Sequence, residues 1–324
     1  MKLFIKRLLA FLLFLIIINI IFTFFYEKPL REAIKNGTHS TYLKYNDINN
    51  PEKNYEMVFM GSSRGISTYN PFIFDSILDT KSYNMCTGSQ NTVETYYILR
   101  NILLSQKPKY IIYEMYEPSF NNRDDYYLIL DNAMFFKSFL LKNEMIINGF
   151  GINGIIPYMI PIIKHKLYIK NDISEFLFRN KKNKIINDNW ISGFYYDNNI
   201  VDSVSISNFR EIESFDHISI SEKKELYFNK IVDLCEENDI ELICVRAPYP
   251  PSRIRKSISV DNASIFFKKI CKENNIPYYN FNAMYNEKFP YLDTDFSDTH
   301  HINSYGAKKI SNQLSIIIKE KHLK

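Results

Sequence analysis

Cysteine is scarce, and neither sign of charge dominates. Only four cysteines, Cys86, Cys235, Cys244 and Cys271, occur in 324 residues. They lack the paired close spacing of a zinc site and are too sparse for a disulfide scaffold in a chain this long, so they read as buried thiols. Lys and Arg number 40 against 36 Asp and Glu, a formal net charge of +4. A nucleic-acid binder would usually show a basic face or a pI above about 9, and the pI here is about 8.6, so no nucleic-acid partner is expected. No repeat of about 20–50 residues is visible, which sets solenoids and propellers aside. What the chain does have is apolar content, 46% of its residues. Disordered chains have too few apolar residues to offset their ordering entropy, so that class is excluded and a sizeable core is available.

Residues 8–26, LLAFLLFLIIINIIFTFFY, form an apolar run interrupted only by Asn19 and Thr23. At ~1.5 Å rise per residue such a helix reaches roughly 28 Å, close to the hydrocarbon thickness of a bilayer. Lys2, Lys6 and Arg7 precede it, which predicts a cytoplasmic tail over 1–7 and an extracytoplasmic remainder, although Lys28, Arg31 and Lys35 weaken the asymmetry. The run exceeds the usual core of a cleaved signal and no small-x-small site follows. An uncleaved, single-pass signal anchor in the cell membrane is therefore expected. Residues 27–53 are polar and turn-rich and read as a stalk, with the folded domain over 54–324.

From residue 54 onward, short apolar runs alternate with amphipathic stretches. Strands are predicted at 57–61, 81–86, 107–117, 240–248 and 276–282, and helices near 92–105, 221–238 and 261–274. Such alternation with short loops predicts an α/β fold, a mainly parallel sheet covered on both faces. Between about 119 and 215 the rhythm is lost. The segment IINGFGINGIIPYMIPII at 146–163 is apolar, but its Asn148, Asn153, three glycines and two prolines would leave backbone groups unsatisfied in lipid, which argues against a second span. A mostly helical insertion is expected, covering the site or lying against the bilayer surface, with a basic patch at 164–184.

Two segments carry chemistry. GSSRG, residues 61–65, stands where the first strand ends, the edge of an open parallel sheet at which ligands sit. A free serine hydroxyl is a poor nucleophile without an adjacent base, so taken alone the motif is a turn. Near the C-terminus, DFSDTHHINSYG places Asp298 three residues before His301. At that spacing one turn folds the carboxylate back onto the imidazole Nδ1, fixing the tautomer in which Nε2 accepts a serine proton. Asn303 or Ser304 is placed to cap a last helix. In isolation the segment reads first as capping residues, Asp298 and Asn303, with both histidines on a wet loop. A metal site from His300, His301 and Asp298 lacks further ligands, and adjacent histidines rarely address one ion, so no metal is expected.

A serine after the first strand, with Asp-x-x-His-x-Asn-x-x-Gly before the last helix, resembles the SGNH (GDSL-like) hydrolase and acyltransferase superfamily. It is most similar to the membrane-anchored branches that acylate surface polymers, such as the D-alanyl transfer protein of teichoic acids and polysaccharide O-acetyltransferases. The resemblance covers roughly 54–118 and 217–320. It implies a three-layer α/β/α sandwich, Ser63 as nucleophile, Asp298 and His301 completing the triad, and no cofactor. It also implies an oxyanion hole from the N–H groups of Ser63 and Gly88, with Asn84 four residues before Gly88. Ser62, Glu117 and Asn303 are candidates for supporting roles. One departure stands out: the family usually has Gly-x-Asn-Asp after the third strand, where this chain has YEMYEPSF, with Glu114 and Glu117 and no Asn before Asn121.

The activity implied is acyl transfer to a surface polysaccharide or other polymer, with a polytopic membrane acyltransferase as the partner exporting the acyl group. A carbohydrate esterase or deacetylase would use the same residues. A non-catalytic scaffold of the same fold is the remaining alternative, motivated by the departure.

Overall fold

A computed structural model describes the chain except at residues 123, 161–162, 164–189, 203–219, 255–259, 285–289 and 324 and parts of 27–38. The N-terminal run forms α1 (Lys2–Tyr26), a helix long and apolar enough to cross a membrane. The stalk expectation for 27–53 needs correction at its C-terminal end. Residues Ser40–Ile48 form α2, which buries Lys44, Tyr45 and Ile48. Gln106 donates to the carbonyls of Ile48 (3.0 Å) and Asn50 (2.6 Å), so this stretch belongs to the folded body. Its apolar positions at 45 and 48, one helical turn apart, explain the docking.

The body follows as β1 (Met57–Met60), α3 (Ser63–Thr68), α4 (Pro71–Leu78), β2 (Ser82–Asn84), α5 (Thr92–Ile102) and β3 (Tyr110–Glu114). After the insertion come α9 (Glu222–Glu236), β6 (Glu241–Arg246), a short α10 (Pro251–Ile254), α11 (Val260–Glu273), β7 (Tyr278–Asn280) and α12 (Ser304–Lys321). The strands pair in the order β2-β1-β3-β6-β7, every pair parallel. Parallel neighbours need crossover connections, and the helices supply them.

Side chains alternate across the sheet, as a pleated strand requires. Val58, Met60, Ile111, Tyr113 and Cys244 enter a core with α5, α9 and α11. Met57, Phe59, Ile112, Ile243 and Val245 enter the opposite core with α4 and α12. The result is the expected three-layer sandwich. Burying each such side chain stabilises the fold by about 1.5–3 kcal/mol relative to leaving it exposed. All four cysteines are buried and free, as their spacing suggested.

The described part of the insertion contains α6 (Tyr126–Ala133), α7 (Phe139–Glu144), a π-helical turn Met145–Phe150, α8 (Ile152–Met159) and a hairpin of β4 (Trp190–Ile191) and β5 (Phe194–Tyr195). The chain turns at Gly151, with φ 59°, so 146–163 is not one continuous helix. The basic patch at 164–184 lies outside the described residues. The hairpin turn caps the free edge of β2, where Asn84 N–H donates to the Ser192 carbonyl at 3.0 Å. A paired edge offers no template for another strand.

Candidate active site

The turn after β1 is built for close approach. Gly61 has φ 140°, and a Cβ there would stand 2.7 Å from the Cβ of Glu114, so glycine is required where β1 and β3 end side by side. Ser62 then caps α3: its Oγ accepts from Arg64 N–H at 3.3 Å and donates to Glu114 Oε2 at 3.0 Å. With 1% exposure, Ser62 is a buried structural hydroxyl. The next residue points the other way. Ser63 Oγ lies 2.9 Å from His301 Nε2 across 238 positions of sequence.

The imidazole is held from its own loop. Asp298 Oδ2 is 2.8 Å from His301 Nδ1, and its Oδ1 accepts the backbone N–H groups of His300 (2.6 Å) and His301 (2.8 Å). Burial works against the charge on Asp298, but the His301 hydrogen bond, the charge of that ring and the two amides outweigh it and hold the carboxyl down at about 2. An ionised Asp298 can only accept, so the proton sits on Nδ1 and Nε2 is left to accept from Ser63.

A bridge between Phe296 and Ile302 closes the loop. Asn303, fully buried, caps α12 by accepting from Tyr305 and Gly306 N–H, both at 3.1 Å, while its amide donates to Asn199 and Thr294 carbonyls. Gly306 packs its Cα against the Asp295 carbonyl so closely that a Cβ would collide with it. The capping reading is therefore right for Asn303, and Asp298 does more than cap.

Asn84 joins the nucleophile turn to the loop that follows β2. Its Nδ2 donates to the Gly65 (2.8 Å) and Tyr69 (2.9 Å) carbonyls of the α3 segment, and its Oδ1 accepts Cys86 N–H at 3.0 Å. Within that loop Thr87 N–H donates to the Gly61 carbonyl at 3.0 Å, tying the residue before Gly88 to the turn that leads into Ser63. The loop stands on a buried polar network. Asn132 Nδ2 donates to Thr87 Oγ1 (3.0 Å) and Glu94 Oε1 (2.6 Å), and Gln90 links Thr87 to Thr95. Burial pushes the Glu94 carboxyl up to about 8 against the hydrogen bonds of Asn132 and Asn91. From below, Lys44 of α2 donates to the carbonyls of Asn84 (3.0 Å) and Cys86 (2.5 Å). Burial pulls its ammonium down to about 7.

Glu117 is not open to a substrate. It is 4% exposed, pairs with Arg246 and accepts from Tyr249 Oη at 2.9 Å. His300 turns from the triad towards Arg253, 3.0 Å from its Nδ1. Burial, Arg253 and Arg64 hold that ring down at about 4, keeping it neutral. Among the described residues no group of three metal-ligating side chains is present.

Sequence reasoning overlooked Arg64 and the buried role of Glu114. Arg64, 1% exposed, sends Nη2 to the carbonyls of Ala247 (2.8 Å) and Pro248 (2.7 Å) and Nε to His300 O (3.3 Å), with its guanidinium 3.9 Å from the Tyr249 ring. Glu114 lies 3.8 Å from its Nη1. Burial raises the Glu114 carboxyl even against Arg64 and Ser62. One arginine thus ties the serine turn to the end of β6 and to the histidine loop. The signal was an arginine between the serines and a glycine, but its carbonyl partners cannot be read from a sequence.

No protein-family model and no curated protein matches the chain. Solved structures do show a likeness in outline. A protein of the G-D-S-L lipolytic family from Desulfitobacterium hafniense has 13% identity and a TM-score of 0.41, over 82% of this chain and 99% of that one. A GDSL-like lipase from Bacteroides thetaiotaomicron has 12% identity and a TM-score of 0.39, over 83% and 89%. A family two carbohydrate esterase from Clostridium thermocellum, solved with cellohexaose, has 9% identity and a TM-score of 0.38, over 83% and 65%. The chain's parallel α/β sandwich thus has GDSL-type proteins among its structural likenesses.

Proposed function

We propose that this chain is a membrane-anchored serine acyltransferase of the SGNH type, held by α1 with its folded body outside the cytoplasmic membrane. The observation that carries the reading is the Ser63 Oγ to His301 Nε2 distance of 2.9 Å, with Asp298 2.8 Å behind the ring. Nucleophile, base and orienting carboxylate within hydrogen-bond reach are what covalent acyl transfer needs.

Ser63 Oγ gives its proton to Nε2 and attacks the acyl carbonyl of an activated donor. The N–H groups of Ser63 and Gly88 receive the oxyanion, each worth roughly 3 kcal/mol by analogy with other hydrolases. The tetrahedral intermediate then expels the leaving group, which takes the proton from His301. A glycan hydroxyl next loses its proton to Nε2 and attacks the acyl-serine, and Ser63 leaves with that proton. A surface polysaccharide or other polymer is the acceptor, and a polytopic membrane acyltransferase the supplier of acyl groups.

Hydrolysis is the second reading, favoured by the openness of the triad: the His301 and Asp298 side chains are 32% and 54% exposed, so water can reach the acyl-enzyme. A serine-reactive fluorophosphonate tests the shared step. Labelling of the wild type that disappears in Ser63→Ala supports the enzyme, whereas a folded wild type that never labels leaves only a scaffold. Acylated glycan against free acid then separates transfer from hydrolysis.

A further inference from the structure

The segment from α7 through the π-helical turn to α8 is apolar on both of its faces. Leu141, Met145, Ile146 and Phe150 are buried against the body, Leu141, Met145 and Phe150 in the core that includes Val93 and Tyr97 of α5. On the outer side Phe139, Leu140, Ile147, Ile152, Ile156 and Met159 are between 40% and 79% exposed. A helix that is apolar all round belongs in a core or in lipid, and a clustered exposed apolar face marks an interaction surface.

We infer that this outer face lies in the headgroup region of the bilayer that holds α1, an inference resting on the reading of α1 as the anchor. Four observations select lipid as the occupant. The thirteen positions 27–39 between α1 and α2 reach at most ~45 Å, so the body cannot leave the vicinity of the membrane. The charge is right for anionic headgroups: Lys137 and Lys142 are the cations of 137–160, and the one acid there, Glu144, is paired with Arg100. Lys142 Nζ lies 5.0 Å from the Phe139 ring centroid and 5.5 Å from that of Tyr158, an ammonium at the rim of apolar surface. The break at Gly151 and the proline inside α8 suit a segment that lies on the membrane and does not cross it. The consequence reaches the site. α8 packs on α6, and Leu128 of α6 stands 3.7 Å from where a Cβ of Gly88 would be. The loop carrying Gly88 is thereby one helix away from the headgroups, where a lipid-linked substrate would present its polar end.

The full chain, reconstituted in phosphatidylcholine–phosphatidylglycerol vesicles, tests this with an NBD fluorophore on Met159→Cys and, as control, on Ile316→Cys of α12 at the opposite face of the sheet. The four native cysteines are buried, so the added thiol labels selectively. Nitroxide-bearing lipid should quench the probe at 159 several-fold more than the one at 316. Chain that floats with the vesicles but is equally unquenched at both positions overturns the inference while leaving the anchor intact. It does so whether the 159 probe is wet or covered by protein, a second copy included. Chain that fails to float with the vesicles overturns the anchor and this inference together.

Discussion

The two halves of the candidate triad are held in opposite ways. The serine turn is fixed from beneath: Ser62 and Arg64 are each 1% exposed and bond to β3, to the end of β6 and to the histidine loop. The His301 ring is held from within its own turn, through Asp298 and two backbone amides, with the carboxylate 54% exposed, while Arg64 and Arg253 tie the loop's backbone carbonyls to the body. The difference teaches where stability and reactivity part company. Beneath the serine, buried polar groups are costly to leave unpaired, so a change there unsettles the fold. At Asp298 the carboxylate is open to solvent, so a change there is expected to spare the fold.

Ser63→Ala and Asp298→Asn break the comparison at its most reactive points. Ser63→Ala should lower kcat by ~10⁴-fold or more, with a melting temperature close to that of the wild type. Asp298→Asn should cost nearly as much, ~10⁴-fold, by favouring the wrong imidazole tautomer. Its remaining amide oxygen can still accept the His300 and His301 N–H groups, so the fold should hold. A large drop in melting temperature for Asp298→Asn would instead make this exposed carboxylate part of what holds the fold. Because Asp298 stays ionised down to about pH 2, activity lost between pH 7 and 4 cannot come from its protonation.

Arg64→Lys sharpens the other side. An ammonium cannot stack on Tyr249 and reach two carbonyls as the planar fork does, so about 2–4 kcal/mol of stability should go. Denaturant unfolding measures this directly. Unchanged stability with lost activity would instead make Arg64 a group acting on substrate.

At Glu94 the expected effect depends on pH. Its carboxyl titrates near 8 in the fold against an ordinary 4.5, so through that window the folded chain keeps a proton the unfolded chain has released. Stability therefore falls as pH rises from about 4.5 to 8. Glu94→Gln, which does not titrate, should flatten that fall. Melting curves for the two proteins at pH 5 and pH 8 check it, with the gap shifting in favour of Gln at the higher pH.

Much of this was legible in the residues. The strand and helix periods were, because they follow from local alternation, as at Met57–Met60 and Thr92–Ile102. So was the Asp298–His301 contact, which depends on a single turn. The union of Ser63 with His301 was legible only through resemblance to a family, since nothing local links positions 238 residues apart. What stayed hidden was the work of side chains whose partners are backbone carbonyls. Nothing in the sequence marks Arg64 and Lys44 as buried, because carbonyl acceptors have no sequence signature. The stalk is shorter than its composition suggests because polar residues over 40–53 surround two apolar positions, Tyr45 and Ile48, that dock the segment.

Lys44 turns that last point into a practical boundary. Its ammonium reaches from the first helix beyond the anchor to the carbonyls of Asn84 and Cys86. A soluble fragment begun at residue 54 would strip those oxygens of their donor and bare the cavity left by Tyr45, loosening the strand end next to the reactive serine. The folded body therefore begins before Ser40, and the segment that follows α1 is the first piece of the wall behind Ser63.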